Sequence, residues 1–217
     1  VLTWISSIDF ETNPKKLKEL SKYDGILVPG GFGSRGVEGL LKVIEYARVH
    51  KIPYFGLCYG MQLLVIEYAR NVLGLKDANT REVNPKAKHI VIDIMEDQKE
   101  KVAMKKLGGS MRLGAYIAHL KKGSVAEKAY GASSVSERHR HRYEVNNAYR
   151  EALEKKGLVF SGTSPDGLLC EIAELPITKH PFFLATQFHP EFKARPLQPH
   201  KLFTAFIKSC VGKKKKK

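Results

Sequence analysis

Cysteine is scarce in this sequence: Cys58, Cys170 and Cys210 are all that 217 residues contain. Three scattered thiols do not make a disulfide framework, and a reducing cytoplasm is the expected compartment. Long apolar runs are missing too. No stretch approaches the roughly 20 residues that cross a bilayer, no signal peptide is visible, and no membrane partner is expected. Acidic residues are in deficit, 22 against 37 lysines and arginines, for a net charge of +15. Five of those charges are the lysines at 213–217, read as a basic disordered tail, which leaves +10 for the body. An excess of this kind attracts anions in general, and the phosphates of a nucleotide satisfy it as well as a polynucleotide does. The chain opens on Val1, inside an apolar segment, as a fragment shorn of its beginning would.

What remains is ordinary for one globular α/β domain: 43% hydrophobic and 27% charged residues. Leu2-Thr3-Trp4-Ile5 reads as a strand and Lys15 to Lys22 as a short helix. Tyr23-Asp24-Gly25-Ile26-Leu27-Val28-Pro29 reads as a strand buried on both faces. It runs into Gly30-Gly31-Phe32-Gly33-Ser34-Arg35-Gly36, a loop whose backbone must approach something closely, and then into a helix from Val37 to His50. Ile52-Pro53-Tyr54-Phe55 forms the next strand, and Leu63 to Arg70 the next helix. Alternation of this kind predicts a doubly wound, mainly parallel sheet with the site at the strands' C-terminal ends. Further on, His89 to Ile94 and Met111 to Ala118 read as strands, residues 108–110 as a turn, and Ser124 to Tyr130 as a helix capped by Ser124. Leu158 to Ser161 and Leu168 to Leu175 read as a small antiparallel hairpin around Pro165-Asp166-Gly167. Phe182 to Phe188 is a strand and Gln198 to Val211 a closing helix.

Between the Ile52–Phe55 strand and its helix lies Gly56-Leu57-Cys58-Tyr59-Gly60-Met61-Gln62. A cysteine between two glycines at such a junction has the form of a nucleophile elbow, whose serine version is Gly-x-Ser-x-Gly. The helix start beyond it lowers a thiol's pKa and offers free N–H groups to an oxyanion. A buried structural cysteine is the plain alternative, and Cys170 and Cys210 are read that way. The loop Gly31-x-Gly33-x-x-Gly36 formally fits a dinucleotide fingerprint but lacks the acidic residue about twenty positions later. Its better reading is as an oxyanion loop beside the elbow.

Arg138-His139-Arg140-His141-Arg142 alternates arginines with histidines, so the two types face opposite sides of a strand. No further metal ligand is close in sequence. An anion-binding edge, a nucleic-acid patch and a solvated basic strand all stay open. His189 ends an apolar strand, and Glu191, two residues on, can hold one imidazole nitrogen while the other faces a thiol.

Gly-x-Cys-x-Gly-x-Gln followed about 130 residues later by Phe-His-Pro-Glu resembles the Cys-His-Glu triad of class I glutamine amidotransferases. The stretch Val28 to Gly39, Glu67-Tyr68-Ala69-Arg70, Gly109-Ser110-Met111-Arg112-Leu113-Gly114, Glu137 to Asn146 and Gln187-Phe188-His189-Pro190-Glu191-Phe192 are similar to the amidotransferase domains of CTP synthases. That resemblance covers nearly the whole chain. It implies a flavodoxin-like fold over 1–212, lacking its first strand and helix, with 213–217 as a tail. It implies Cys58 as nucleophile, His189 as acid and base, and Glu191 orienting His189. Gly30, Gly31 and Tyr59 would form the oxyanion hole; Gly31, Tyr59, Gly60, Met61, Gln62, Glu82 and Arg142 would bind glutamine. Arg35 and Arg112 match positions near the interface where family members respond to GTP, an allosteric activator. No cofactor or metal belongs to this domain; ATP, Mg2+ and UTP belong to the absent synthetase domain, the implied partner besides L-glutamine. No nucleic acid is implied, and the full-length enzyme would be a cytoplasmic homotetramer. Tyr59 stands where the family usually has leucine, with little effect expected because the oxyanion donor is main chain. Alternatives are an amidotransferase of another pathway, a stand-alone cysteine hydrolase, or a basic nucleic-acid-binding protein.

Overall fold

Residues 1–94 and 111–212 are described by the computed structural model. The turn read at 108–110 and the lysine tail 213–217 lie outside the described residues. The chain begins with a helix, α1 (Ile8–Thr12), and a 3-10 turn over Pro14–Lys22, followed by β1 (Ile26–Val28) and α2 (Val37–Val49). Then come β2 (Tyr54–Leu57), α3 (Tyr59–Asn71), β3 (Asn79–Thr80), β4 (Ile90–Ile94) and β5 (Arg112–Leu120). The second half carries α4 (Val125–Tyr130), β6 (Ser134–His141), β7 (Tyr143–Val145), α5 (Asn147–Lys155), β8 (Val159–Thr163) and β9 (Cys170–Glu174). It ends with β10 (Phe183–Thr186), a 3-10 turn over Pro190–Phe192, and α6 (Lys201–Gly212).

Seven strands form one sheet in the order β1-β2-β10-β9-β8-β5-β6, and β3, β4 and β7 form a second, small one. The α/β class is as expected from the alternation. Within the seven-stranded sheet, however, parallel pairing is confined to β1–β2 and β2–β10; β10–β9, β9–β8, β8–β5 and β5–β6 are antiparallel. The cause is local. A tight turn returns the chain antiparallel, whereas a parallel neighbour needs a crossover. Ser164 and Asp166 make such a turn between β8 and β9, where the Leu169 N–H donates to Ser164 Oγ at 2.9 Å. Residues 1–6 form no strand, and Leu2 and Trp4 are exposed. An extended segment without a neighbour has no ladder hydrogen bonds to gain.

The sheet is covered on both faces. Along β10, Phe183 and Ala185 enter the cluster containing α2 and α3, while Leu184 enters the one containing Leu202, Phe206 and Cys210 of α6. That is the period of two expected of a strand buried on both sides. α3 is buried from Tyr59 through Ala69, so the helix behind the elbow is a core element. Arg48 grips the buried Glu67 with contacts of 3.0 Å from Nε and 2.7 Å from Nη2. Ser124 caps α4 as expected, accepting from the Glu127 N–H at 3.0 Å.

Both elbow glycines are set by close approach. A Cβ on Gly60 would lie 2.6 Å from the Val28 carbonyl oxygen of β1, and one on Gly56 would lie 2.8 Å from the Gly60 carbonyl carbon. Neither backbone atom can swing aside. Gly60→Ala is expected to cost about 1–3 kcal/mol, the usual range for an overpacked core, as read by urea unfolding. An unchanged midpoint would contradict this packing of α3 on β1.

Candidate active site

The sheet register lines up three loops. Val28 pairs with Gly56, Gly56 with Ala185, and Leu57 with Thr186. One residue beyond the last of these pairs stand Cys58 and Gln187, with Gly30 just past β1 and His189 just past β10. The row is drawn tight. Cys58 N–H donates to the Thr186 carbonyl at 2.6 Å. A Cβ on Gly30 would meet His189 Cε1 at 2.8 Å and Cys58 Cβ at 3.8 Å. Only glycine leaves that approach open.

Cys58 has φ +47° and ψ −94°, and it is the residue before the first turn of α3. A positive φ is strained for a residue with a Cβ, at a cost of order 1–3 kcal/mol. Here it turns the side chain out of strand geometry at the head of a helix, as the elbow pattern requires. Met61 and Gln62 N–H groups donate to the Cys58 carbonyl at 3.0 and 3.2 Å. Those two donors are therefore engaged within the helix start, and the Met61 side chain lies wholly in the core.

His189 is buried in its turn. Its N–H donates to the Arg138 carbonyl at 2.8 Å, and its ring stacks on Phe192 with centroids 4.7 Å apart. Nδ1 lies 2.6 Å from Glu191 Oε1, and Nε2 is buried without a hydrogen-bond partner. Glu191 reaches the ring through the 3-10 turn at Pro190–Phe192, not along an extended strand. Pro190 at the first position of the turn explains the difference, since its ring fixes φ and begins a helical bend.

A cavity of about 580 Å³ opens over this row, with Gly30, Gly31, Cys58, Gln62, Glu82, Arg142, His189 and Glu191 in its wall. Glu82 and Arg142 bring opposite charges to one wall, and Gln62 Nε2 donates to the Tyr143 carbonyl at 3.1 Å. Glu82 also accepts the Gly33 N–H at 3.1 Å, and the Tyr59 hydroxyl donates to the Gly33 carbonyl. Burial raises the Glu82 carboxyl, against the pull of the Gly33 N–H and of Arg142. Tyr59 thus ties the elbow to the glycine loop by its side chain, an effect that a main-chain role alone did not foresee. Among the described residues no His, Cys, Asp or Glu group has the arrangement of a metal site.

Two sequence-level expectations change. A helix start was expected to acidify the thiol, yet burial, then Glu144 and Glu191, push the Cys58 thiol up to about 12. Hydrogen bonds from the Tyr59 backbone and from Gln187 offset only part of this. The run Arg138 to Arg142 does alternate, but its histidines are core groups. His139 and His141 are buried, with His139 Nδ1 and His141 Nε2 2.9 Å apart. Burial, reinforced by Arg112 and His189, lowers His139 to about 3; burial, then His139, Arg112 and His189, hold His141 well below its usual value. Arg140 and Arg142 line the cavity.

Arg112 is buried as well, with Nη2 2.7 Å from Glu171 and Nη1 3.4 Å from Glu144. It lies over Tyr116 at 4.3 Å, whereas Arg35 is exposed in the turn before α2. The two arginines grouped by resemblance are therefore in quite different settings. Sequence reading missed Gln187, whose Nε2 is 3.6 Å from Cys58 Sγ. The available signal was its spacing of two from His189, which puts both on one side of an extended segment.

Three comparisons bear on this site. The family model described as glutamine amidotransferase class-I matches residues 3–209. The CTP synthase of Carboxydothermus hydrogenoformans is 59% identical over 206 residues, 95% of this chain and 37% of that protein. That of Rhodococcus jostii is 56% identical over 214 residues, 98% of this chain and 36% of that protein. The chain thus spans a little over a third of the length of the curated relatives it matches. The solved glutaminase domain of Trypanosoma brucei CTPS, with bound acivicin, aligns at a TM-score of 0.90 and 40% identity. That alignment covers 98% of this chain and 81% of that one. A thiol, an imidazole and a carboxylate thus share one cavity wall at the head of parallel strands, in a chain whose family is that of glutamine amidotransferases. The chain belongs to the class I glutamine amidotransferases, in the branch formed by the glutaminase domains of CTP synthases.

The buried histidines set a pH dependence. Their folded pKa values lie below the unfolded value near 6.5, so the neutral rings stabilise the fold above about pH 6.5. That contribution is lost as pH falls toward about 3, the value for His139. Between pH 6.5 and 4, His139→Gln should flatten the fall in unfolding free energy by about 2–3 kcal/mol relative to wild type. Parallel curves for the two proteins would contradict a neutral buried His139.

Proposed function

We propose that this chain hydrolyses L-glutamine to glutamate and ammonia through a thioester on Cys58, with His189 as acid and base and Glu191 holding His189. The observation that carries this is the His189 ring: Nδ1 fixed by Glu191 at 2.6 Å and Nε2 unpartnered in a cavity wall shared with Cys58. A thiol pushed up to about 12 is not a standing thiolate at neutral pH. The Cys58 proton therefore passes to His189 Nε2 as sulfur attacks the glutamine amide carbon and the carbonyl electron pair moves to oxygen. Main chain at Gly30, Gly31 and Tyr59 receives that oxyanion. The tetrahedral adduct collapses, the C–N bond breaks, and His189 returns the proton to the leaving ammonia. Water, deprotonated by the same nitrogen, then attacks the thioester, releasing glutamate and restoring the thiol. Glu82 suits the substrate's ammonium and Arg142 its carboxylate.

In the full-length protein the ammonia would go to a synthetase domain that aminates UTP to CTP with ATP and Mg2+. Assembly and location follow the same reading: a cytoplasmic homotetramer, with GTP as activator. Arg35 is exposed and free to take part in a GTP response. Arg112, engaged by two buried carboxylates, would act through that network and not by touching nucleotide.

Cys58→Ala is expected to lower glutamate release at least about 10³-fold, the scale of losing a covalent nucleophile. A glutamine-like electrophile should label Cys58 and spare Cys170 and Cys210, as mapped by peptide mass spectrometry. Labelling at Cys170 would sink the assignment. CTP formation driven by glutamine, on adding back a synthetase domain, separates this reading from an amidotransferase of another pathway.

A further inference from the structure

The Cys58 sulfur has a second protein partner besides the helix start. Gln187 is fully buried, its Nε2 lies 3.6 Å from Sγ, and its Oε1 has no hydrogen-bond partner. Its own N–H donates to the Glu171 carbonyl of β9 at 2.8 Å, which fixes the residue against the sheet. The pairing of Leu57 with Thr186 sets Gln187 beside Cys58, one residue beyond the paired row. A buried amide with an orphaned oxygen is costly to maintain. The contact made in return is with the atom that reacts. We infer that the Gln187 carboxamide is a catalytic partner of Cys58, donating Nε2–H to the sulfur while negative charge resides there.

This deepens the glutaminase reading and rests on it. The charged groups that act on the thiol are Glu144 from β7 and Glu191 from beyond β10; the Tyr59 backbone at the start of α3 hydrogen-bonds to it, and His189 shares its cavity wall. Both carboxylates oppose a thiolate, and burial opposes it most. His189 accepts the proton but is not hydrogen-bonded to the sulfur in this resting state. The amide donor is thus a neutral counterweight, present before the proton leaves. As the S–C bond forms, the charge moves from sulfur to the carbonyl oxygen. The Gln187 bond weakens at that point, and the oxyanion donors take over.

Iodoacetamide reads this contact without glutamine turnover: an S–C bond forms and iodide leaves. Removing a donor to a buried thiolate lowers the thiolate fraction by about 10- to 100-fold at fixed pH. The less stabilised sulfur is intrinsically more nucleophilic, with a Brønsted slope of about 0.4–0.5, which recovers part of that loss. In Gln187→Leu, alkylation of Cys58 at pH 8 should therefore slow by about 3- to 16-fold. Gln187→Glu should slow it further, because a carboxylate replaces the donor. Glutamine kcat should fall with KM nearly unchanged. A folded Gln187→Leu chain alkylated within twofold of the wild-type rate would overturn the inference. Should neither variant fold, the wild-type chain labelled with 15N decides: the Gln187 side-chain N–H resonances must move when Cys58 is alkylated, and fixed resonances overturn the inference. Normal alkylation of Cys58 in wild type without glutaminase activity would instead strike at the glutaminase reading and leave the Gln187 contact standing.

Discussion

The register of three short parallel strands governs this site. β1, β2 and β10 come from opposite ends of the chain, yet Val28, Gly56 and Ala185 stand in one row. The proposed nucleophile, base and orienting carboxylate all lie within a few residues beyond that row. A slip of one residue would turn the Cys58 and His189 side chains to opposite faces of the sheet. The register is held by packing on both sides, because β2 and β10 are buried throughout their length. Gly56 and Gly60 let strand, elbow and helix touch, and the positive φ of Cys58 stores strain where that packing can bear it.

Electrostatics around the row decide how the thiol works. Burial and two carboxylates hold it protonated, so a preformed thiolate is not the resting state. The imidazole is oriented by Glu191 with its second nitrogen open, which suits proton transfer in step with attack. Behind it, Arg112 of β5 pairs with Glu171 of the same sheet and with Glu144 of the small sheet, and two buried histidines lie beside this network. Breaking a buried ion pair by removing one member typically costs about 3–5 kcal/mol. The network therefore supports the wall of the cavity, and its charges reach the sulfur from Glu144.

Much of this was legible in the sequence. The apolar run ending at Val28, the glycine loop and the elbow gave β1, α2, β2 and α3 in order, because period and punctuation agree there. The antiparallel half was read strand by strand but not as the larger part of the sheet, since a period of two does not report on a partner's direction. Leu2 to Ile5 has strand composition without a neighbouring strand. Alternation placed His139 and His141 on one side, while their burial depended on Arg112, Glu144 and Glu171 from three other strands. Gln187 was passed over because its meaning comes from standing opposite Cys58, a relation set 129 residues away. Local pattern also gave the wrong sign for the thiol: a helix start favours a thiolate, and depth of burial overrules it.

The central claim is that Cys58 carries the glutamyl group as a thioester. Partitioning with hydroxylamine tests it most directly. Glutamine and a γ-glutamyl ester would pass through one common acyl-enzyme. The ratio of glutamyl hydroxamate to glutamate, at a given hydroxylamine concentration, should therefore be the same from either donor and vanish in Cys58→Ala. Different ratios from the two donors, or hydroxamate formed without Cys58, would contradict the account.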